Sequence, residues 1–350
     1  MAGLADVVGH ERLKRLLARA IRQRRLPHAL LLAGPEGVGK RALGLVAVRA
    51  LLCERRDGDA CDQCAACRRV LRGLGSLPEL RARAEKEGEP ELFNYRLHPD
   101  VLLIEPSPRE IRIDQVRLLV QELARRSFDS GARAVLLDDA HLLRTEAANA
   151  LLKSLEEPPP GTHLFLITAS PEALLPTIRS RCQTLRFGGL PTALLIDHLR
   201  QRAGLDADEA RLRAALAGGS LGAALQFESD EYRERRDELL GLLESRLVSD
   251  QGARLALAER LADWDDPAGA LTTLRSLLRD VAALRSGAQP GAVLNADAGE
   301  RLSELAQAPL GQRAIAVADA AGWTRQALRG NANPLLALDR LVAGFAGPPP

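Results

Sequence analysis

The stretch from Ala29 to Cys53 constrains this chain more than any other. Ala29-Leu30-Leu31-Leu32-Ala33 is an apolar run that reads as a buried strand, Gly34-Pro35-Glu36-Gly37-Val38-Gly39-Lys40-Arg41 follows it, and Ala42 to Cys53 has helical composition. Strand, glycine-rich loop, lysine and helix in that order form a phosphate-binding loop. Its backbone N–H groups cradle phosphate oxygens, and its lysine reaches the outer phosphates. The pattern G-x-x-x-x-G-K is complete. The next position, where a Ser or Thr hydroxyl holds magnesium, is occupied by Arg41.

The chain around the loop alternates strands and helices. Asp100–Ile104, Ala134–Leu137, Leu164–Ile167 and Thr184–Phe187 read as further short apolar strands, and Ile113–Arg125, Thr145–Glu156 and a short piece near Leu174–Ser180 read as helices between them. With residues 29–33 this predicts five parallel strands with helices on both faces. Residues 4–25 read as one amphipathic helix, with Arg22-Gln23-Arg24-Arg25 as a solvated helix end rather than part of a basic patch, and residues 71–98 as a charged surface segment. After Gly188-Gly189-Leu190-Pro191 strand signals stop and every periodic segment is helical. The expected division is an α/β domain over 1–188 with an insert at 53–67, a small helical domain over 189–228 and an all-α domain over 229–350.

Four of the five cysteines fall in that insert, as Cys53-x7-Cys61-x2-Cys64-x2-Cys67. Two-residue gaps are the spacing of tetrahedral zinc sites, and four thiolates leave no vacant position for water, so the expected role is a structural Zn2+. Cys182 stands apart with no Cys–His arrangement around it and reads as an apolar filler. None of the six histidines shows metal spacing; His98 with Asp100 reads as a strand-entry cap. Asp138 and Asp139 follow a buried strand, where the first acid can hold magnesium through water and the second stands where a water-orienting glutamate is usual.

At 350 residues, with 46% apolar and 27% charged residues, the composition is that of a globular protein of two or three domains. Asp6, His10, Glu11 and Arg12 interrupt any N-terminal signal peptide, and no apolar run approaches a membrane span. The expectation is a cytoplasmic protein without a membrane partner. A net charge of +2 assigns no nucleic-acid role by itself. Only Lys14, Lys40, Lys86 and Lys153 are lysines in an otherwise arginine-based set of cations, which sets Lys40 apart.

Several motifs occur in one order: Val8-Gly9-His10-Glu11, Pro27-His28-Ala29, the phosphate loop, the four-cysteine insert and His98-Pro99-Asp100. Ala147-Ala148-Asn149-Ala150-Leu151-Leu152-Lys153-Ser154-Leu155-Glu156-Glu157-Pro158-Pro159, Thr168-Ala169-Ser170-Pro171, Arg179-Ser180-Arg181-Cys182 and Asn331-Ala332-Asn333-Pro334 complete the series. Over nearly its whole length the chain resembles the bacterial DNA polymerase III clamp-loader subunits of the AAA+ class. The resemblance implies an AAA+ (P-loop) domain, a helical lid and a helical collar that serves oligomerisation.

Two branches compete within that family, the ATP-hydrolysing gamma/tau subunits and the delta-prime subunits. Arg41 replaces the magnesium-binding hydroxyl, Asp139 the usual glutamate, and Gly222, after Gly219-Ser220-Leu221, the sensor-2 arginine. These departures imply the delta-prime branch, with Gly34, Gly37, Gly39, Lys40, Arg41, Asp138, Asp139 and the sensor-1 position Thr168 as a degenerate nucleotide site. ATP with Mg2+ is then not hydrolysed by the chain itself, and neither ATPase nor polymerase activity is expected of it; nucleotide binding is left open. Arg181 matches the family's arginine finger, which acts in trans on a neighbouring ATP site. The partners implied are gamma/tau and delta subunits, the sliding clamp indirectly, and primer-template DNA within the assembly. A gamma-type ATPase motor and a free-standing zinc-containing nucleic-acid-binding module are the alternatives.

Overall fold

Six strands form one mixed sheet in the computed structural model, which describes residues 3–125, 131–244, 247–329 and 332–346. Asn331 of the C-terminal motif, and the tail beyond Ala346, lie outside the described residues. The chain divides into two compact units, Met1–His198 with Gly219–Ala223, and Leu199–Gly218 with Ala224–Pro350.

In the first unit the strands are β1 (Ala29–Ala33), β2 (Asn94–His98), β3 (Val101–Ile104), β4 (Arg133–Leu137), β5 (Thr162–Thr168) and β6 (Gln183–Arg186), arranged β2-β3-β4-β5-β1-β6. β3, β4, β5, β1 and β6 pair in parallel, whereas β2 pairs with β3 antiparallel. The expectation of a five-stranded parallel sheet is therefore corrected: the sheet has a sixth, antiparallel edge strand. Its residues Tyr95 and Leu97 are buried, and Asn94 and Arg96 alternate with them. That two-residue period sits inside a charged segment, which is why it reads as surface.

Successive residues of a strand feed opposite faces of the sheet. Leu30 and Leu32 join one core with Leu103, Leu136 and Phe165, and Ala29, Leu31 and Ala33 join another with Ile104, Leu137 and Leu166. The first core is covered by α1 (Glu11–Arg22), α2 (Lys40–Leu52), α3 (Ala65–Gly75) and α4 (Leu77–Glu87), and the second by α5 (Ile113–Leu123), α6 (Thr145–Glu156) and the short α7 (Pro176–Arg179). Both faces are thus sealed, as a parallel sheet requires.

The N-terminal segment is not one helix. A 3-10 turn at Leu4–Asp6 is separated from α1 by Gly9 and His10, both left-handed at φ 69° and 57°. A right-handed helix cannot run through two such residues. Residues 71–98 are also ordered into α3, α4 and β2, with Leu77, Ala84, Phe93 and Tyr95 in the core.

The chain passes into the second unit within α8 (Thr192–Arg202). α9 (Ala207–Leu216) and the end of α10 (Leu221–Gln226) are followed by α11 (Ser229–Leu243), α12 (Gln251–Asp263), α13 (Pro267–Arg285), α14 (Gly299–Gln307), α15 (Ala314–Arg329) and α16 (Pro334–Ala346). Asp206, Asp250 and Asp266 start α9, α12 and α13 by accepting N–H bonds of the first turn, which satisfies donors a helix leaves orphaned. Leu271, Leu274, Leu277, Leu278 and Val281 run along α13 into a core shared with Leu302, Val317 and Phe345.

Candidate nucleotide site and cysteine cluster

The carboxyl ends of β1, β3, β4 and β5 carry the polar residues of the loop region. Gly34 donates its N–H to the Thr168 carbonyl at 3.2 Å, which ties the start of the loop to the end of β5. Thr168 is fully buried, and its Oγ1 accepts the Ser170 N–H at 3.0 Å. Its hydroxyl is engaged by its own turn.

Gly39 and Gly37 have φ of 103° and 67°, a left-handed region that a side chain strains. Lys40 folds back on the loop: its Nζ donates to the carbonyls of Gly34 at 2.7 Å and Pro35 at 2.6 Å. Burial pulls the Lys40 ammonium below its ordinary range, against the opposing charges of Asp139, Asp138 and Glu36. His10 Nε2 lies 2.8 Å from the Val38 carbonyl and holds the outer side of the loop.

Arg41 does not enter the phosphate cradle. Its Nη1 donates to Asp138 Oδ2 at 2.8 Å and its Nη2 lies 2.5 Å from Glu105 Oε1. A guanidinium has five donors and no lone pair, so it cannot coordinate a cation; here it is the cation. Asp138 is buried, which pushes its carboxyl above the ordinary range, and the Arg41 charge opposes that shift while Asp139 and Glu105 add to it. Asp139 is half-buried and left-handed at φ 45°, and its N–H reaches Asp138 Oδ1 at 3.2 Å.

Glu105 and Arg81 also belong to this network, and sequence pattern alone does not mark them as site residues. Arg81 on α4 grips Glu105 with two parallel bonds, Nε to Oε2 at 2.8 Å and Nη2 to Oε1 at 2.5 Å. A signal for Glu105 exists: Ile104 of β3 pairs with Leu137 of β4, so the next residues, Glu105 and Asp138, follow adjacent strand ends. Arg81 carries none, because it comes from the segment that reads as solvated.

The first turn of α10 covers the loop. Gly222 donates its N–H to the Gly37 carbonyl at 2.9 Å. A Cβ on Gly222 would stand 3.1 Å from Gly37 Cα, and a Cβ on Gly37 would overlap the Ser220 hydroxyl. Arg181 lies apart, just beyond α7. Its Nη2 is 2.5 Å from Glu156 Oε1 and its Nη1 donates to the Thr177 carbonyl at 2.9 Å, with about a third of the side chain exposed (34%). Burial raises the Cys182 thiol to about 11, so it stays protonated at neutral pH.

At the far end of α2 the sulfurs of Cys53, Cys61, Cys64 and Cys67 all lie within 4.8 Å of one another. Tetrahedral sulfur ligands at metal bonds of about 2.3 Å stand about 3.8 Å apart, so the four fit one ion after a small contraction. Cys64 N–H points at Cys61 Sγ at 3.3 Å and Cys67 N–H at Cys64 Sγ at 3.5 Å, as expected around thiolates. The Cys64 and Gln63 amides pull the Cys61 thiol down to about 6, whereas burial pushes those of Cys53 and Cys67 up. A bound cation would offset that burial cost. Arg49, 1% exposed on α2, lies 3.1 Å from Asp62 in the cysteine loop, a charge contact rather than a directed hydrogen bond. Gly58 must be glycine in this loop, since a Cβ would overlap the Ala18 carbonyl of α1.

Residues 9–191 match the family described as DNA polymerase III, delta subunit. The chain is 37% identical over 237 residues to the DNA polymerase III subunit delta' of Pseudomonas aeruginosa, covering 66% of this chain and 65% of that one. It is 31% identical over 283 residues to the Escherichia coli subunit delta', covering 80% of this chain and 76% of that one.

The chain belongs to the DNA polymerase III delta' family.

A gamma/tau-type protein is also similar: the tau subunit of Bacillus subtilis is 29% identical over 285 residues, covering 78% of this chain and 46% of tau. The match to the Pseudomonas delta' subunit spans about two thirds of that protein's length (65%). Membership in the delta' family agrees with a P-loop-like α/β fold that keeps the loop's backbone and carries a four-cysteine cluster. Among the described residues, no helix is long and apolar enough to cross a membrane.

Proposed function

We propose that this chain is a non-hydrolysing delta' subunit of a DNA polymerase III clamp loader. One observation carries the reading: the side chain after the loop lysine is a guanidinium paired to Asp138, where catalysis needs a hydroxyl and a magnesium ion. Asp139 and Gly222 are two further departures in the same region, and Gly222 closes on the loop through its own backbone. Neither ATPase nor polymerase activity resides in the chain.

In this role the subunit supplies Arg181 in trans to a neighbouring subunit's ATP site. A fixed positive charge aimed at a γ-phosphate contributes orders of magnitude in rate. The isolated chain holds Arg181 against Glu156, so docking has to exchange one carboxylate for phosphate oxygens, which are the stronger partner for a guanidinium. The three-part organisation 1–188, 189–228 and 229–350 serves it, the last part as the collar that joins gamma/tau subunits. The delta subunit is a further partner, the sliding clamp an indirect one, and primer-template DNA is met within the assembly, in the cytoplasm. The four cysteines hold Zn2+, which fastens the insert to α2 and plays no chemical part.

The test is reconstitution with gamma/tau, delta and clamp. The reading predicts that Arg181→Ala lowers DNA-stimulated ATPase by at least about tenfold with assembly intact, and unchanged ATPase would defeat it. Magnesium-dependent ATP turnover by the isolated chain would instead favour the gamma-type motor, to which the tau similarity also points.

A further inference from the structure

The amino ends of the strands carry a second concavity, at the opposite end of the sheet from the phosphate loop. It is a cavity of about 810 Å³ between the end of α1, the end of α2 and the start of α3, bounded by the turns that enter β4 and β5. A ligand pocket usually has a volume of about 300–1,000 Å³. The floor is apolar, with Leu26, Leu52 and Ala66 all buried. Arg22, Arg24, Arg56 and Arg69 stand around it, and among the described residues Glu54 is the one carboxylate in the lining. His163, also in the lining, is held toward its neutral form by burial. Among the described residues no carboxylate pairs with Arg22, Arg24 or Arg56, although this chain pairs many of its other arginines.

A second observation falls on the same rim. Among the described residues five that are not glycine have positive φ, and two of them are Arg24 at 54° and Arg56 at 54°. Arg24 occupies the left-handed position that closes α1, where Arg25 N–H bonds the Ala20 carbonyl at 2.8 Å; Arg56 occupies the turn whose N–H bonds the Cys53 carbonyl at 3.2 Å. Glycine is the unstrained residue at such places. Strained backbone persists where the surrounding structure compels it and clusters at functional sites. Here the strain places two guanidinium groups beside one apolar floor.

We infer that this pocket receives an acidic segment of a partner protein, with an apolar side chain anchored on the floor and carboxylates on the arginine rim. Charge complementarity selects the acidic partner. Three arginines, Arg22 and Arg24 at the end of α1 and Arg56 in the turn after α2, suit several carboxylates spread along a chain better than one compact anion. Two walls meet at the cysteine cluster, since Leu52 precedes Cys53 and Ala66 precedes Cys67. The metal module thereby shapes a docking site. This inference goes beyond the role proposed above and uses neither Arg181 nor the phosphate loop.

The experiment uses the full zinc-loaded chain and a fluorescein-labelled synthetic peptide of aspartates flanking a central leucine pair, read by anisotropy at moderate salt. Saturable binding is expected, weakened about tenfold in R24G/R56G and lost when serines replace the leucines. The glycines suit both left-handed turns, so the variant should melt at the wild-type temperature. Absence of saturable binding would overturn the inference. So would equal binding by R24G/R56G or by the leucine-free peptide, since each makes the attraction diffuse. Displacement of the peptide by oligothymidylate at comparable concentration would overturn it in favour of nucleic acid.

Discussion

Arg41 Nη1 lies 2.8 Å from Asp138 Oδ2, so a covalently attached cation stands beside the buried carboxylate at the end of β4. Ninety-seven positions separate the two residues. Glu105 accepts from the other end of the same guanidinium and is itself gripped by Arg81. The consequences of this pair, of the closed loop, of the cysteine cluster and of the Arg181 contact can each be measured.

Replacing Arg41 by alanine leaves a buried carboxylate without its partner. Removing one member of a fully buried pair costs about 3–5 kcal/mol; with 29% of the Arg41 side chain exposed, the expected loss is about 2 kcal/mol at neutral pH. The pH dependence has a definite sign. Burial raises the Asp138 carboxyl above its unfolded value, so the folded state binds that proton more readily and stability falls as pH rises through the interval between the two. Arg41 is the main opposing influence, and its removal widens the interval. Urea unfolding of Arg41→Ala should therefore show a deficit that grows as pH rises from about 4 to about 7. A deficit constant with pH would contradict the pairing.

Gly37 tolerates no side chain. Alanine there combines a φ of 67° with an overlap on the Ser220 hydroxyl, and the expected cost is about 2 kcal/mol by denaturant unfolding. Gly222→Arg, which places an arginine at the sensor-2 position of the resemblance, must push the Gly37 backbone, 3.1 Å from the new Cβ, by a few tenths of an ångström. It is expected to destabilise the chain by about 1–3 kcal/mol and to confer no ATP turnover while Arg41 remains. An ATPase assay on the purified variant checks the second outcome.

One zinc ion per chain is expected from metal analysis of protein purified without chelator. Cys67→Ser should abolish stoichiometric loading, because Cys67 is fully buried and no water can take its place. Chelation should lower the melting temperature and release the insert from α2, detected as proteolytic cleavage between Leu52 and Ala65. Loading should weaken on acidification and release protons when metal is added, since the thiols of Cys53 and Cys67 are raised by burial and must ionise to bind.

Glu156→Gln should leave stability within about 1 kcal/mol of wild type, because the pair it forms with Arg181 is 47% and 34% exposed. On the role proposed for Arg181, the ATPase of the reconstituted loader should be maintained or raised, since the guanidinium would no longer have to leave a carboxylate. A loss as large as that of Arg181→Ala would show that Glu156 itself acts at the neighbouring site.

Much of the α/β unit was legible because each signal is contiguous. The apolar run of residues 29–33, the glycines after it and the spacing of four cysteines are all local. β2 was missed because its alternation, Tyr95 and Leu97 inward with Arg96 outward, is short and lies in charged sequence. The break before α1 was missed because apolar periodicity continues across Gly9 and His10 while the backbone turns left-handed there. In the loop region Lys40, Arg41 and Asp138 were legible as types; Glu105 and Arg81 were not, since a partner's identity depends on sheet register and on where α4 packs.

Local chemistry in the chain was enough to give a phosphate-type loop, four cysteines at metal-ligand spacing, a change from α/β to all-α construction and an arginine where a phosphate loop usually carries a hydroxyl. These follow from residue type and short spacing, which act over one turn or one strand. Where the Arg41 side chain goes was beyond reach of that information: a guanidinium at this position can fill the phosphate cradle or turn to the acids. The register of β3 against β4 brings Glu105 and Asp138 to adjacent strand ends, and Arg41 pairs with both. The closure of Gly222 on Gly37 is likewise a product of folding, because it needs two glycine backbones to meet from distant parts of the chain.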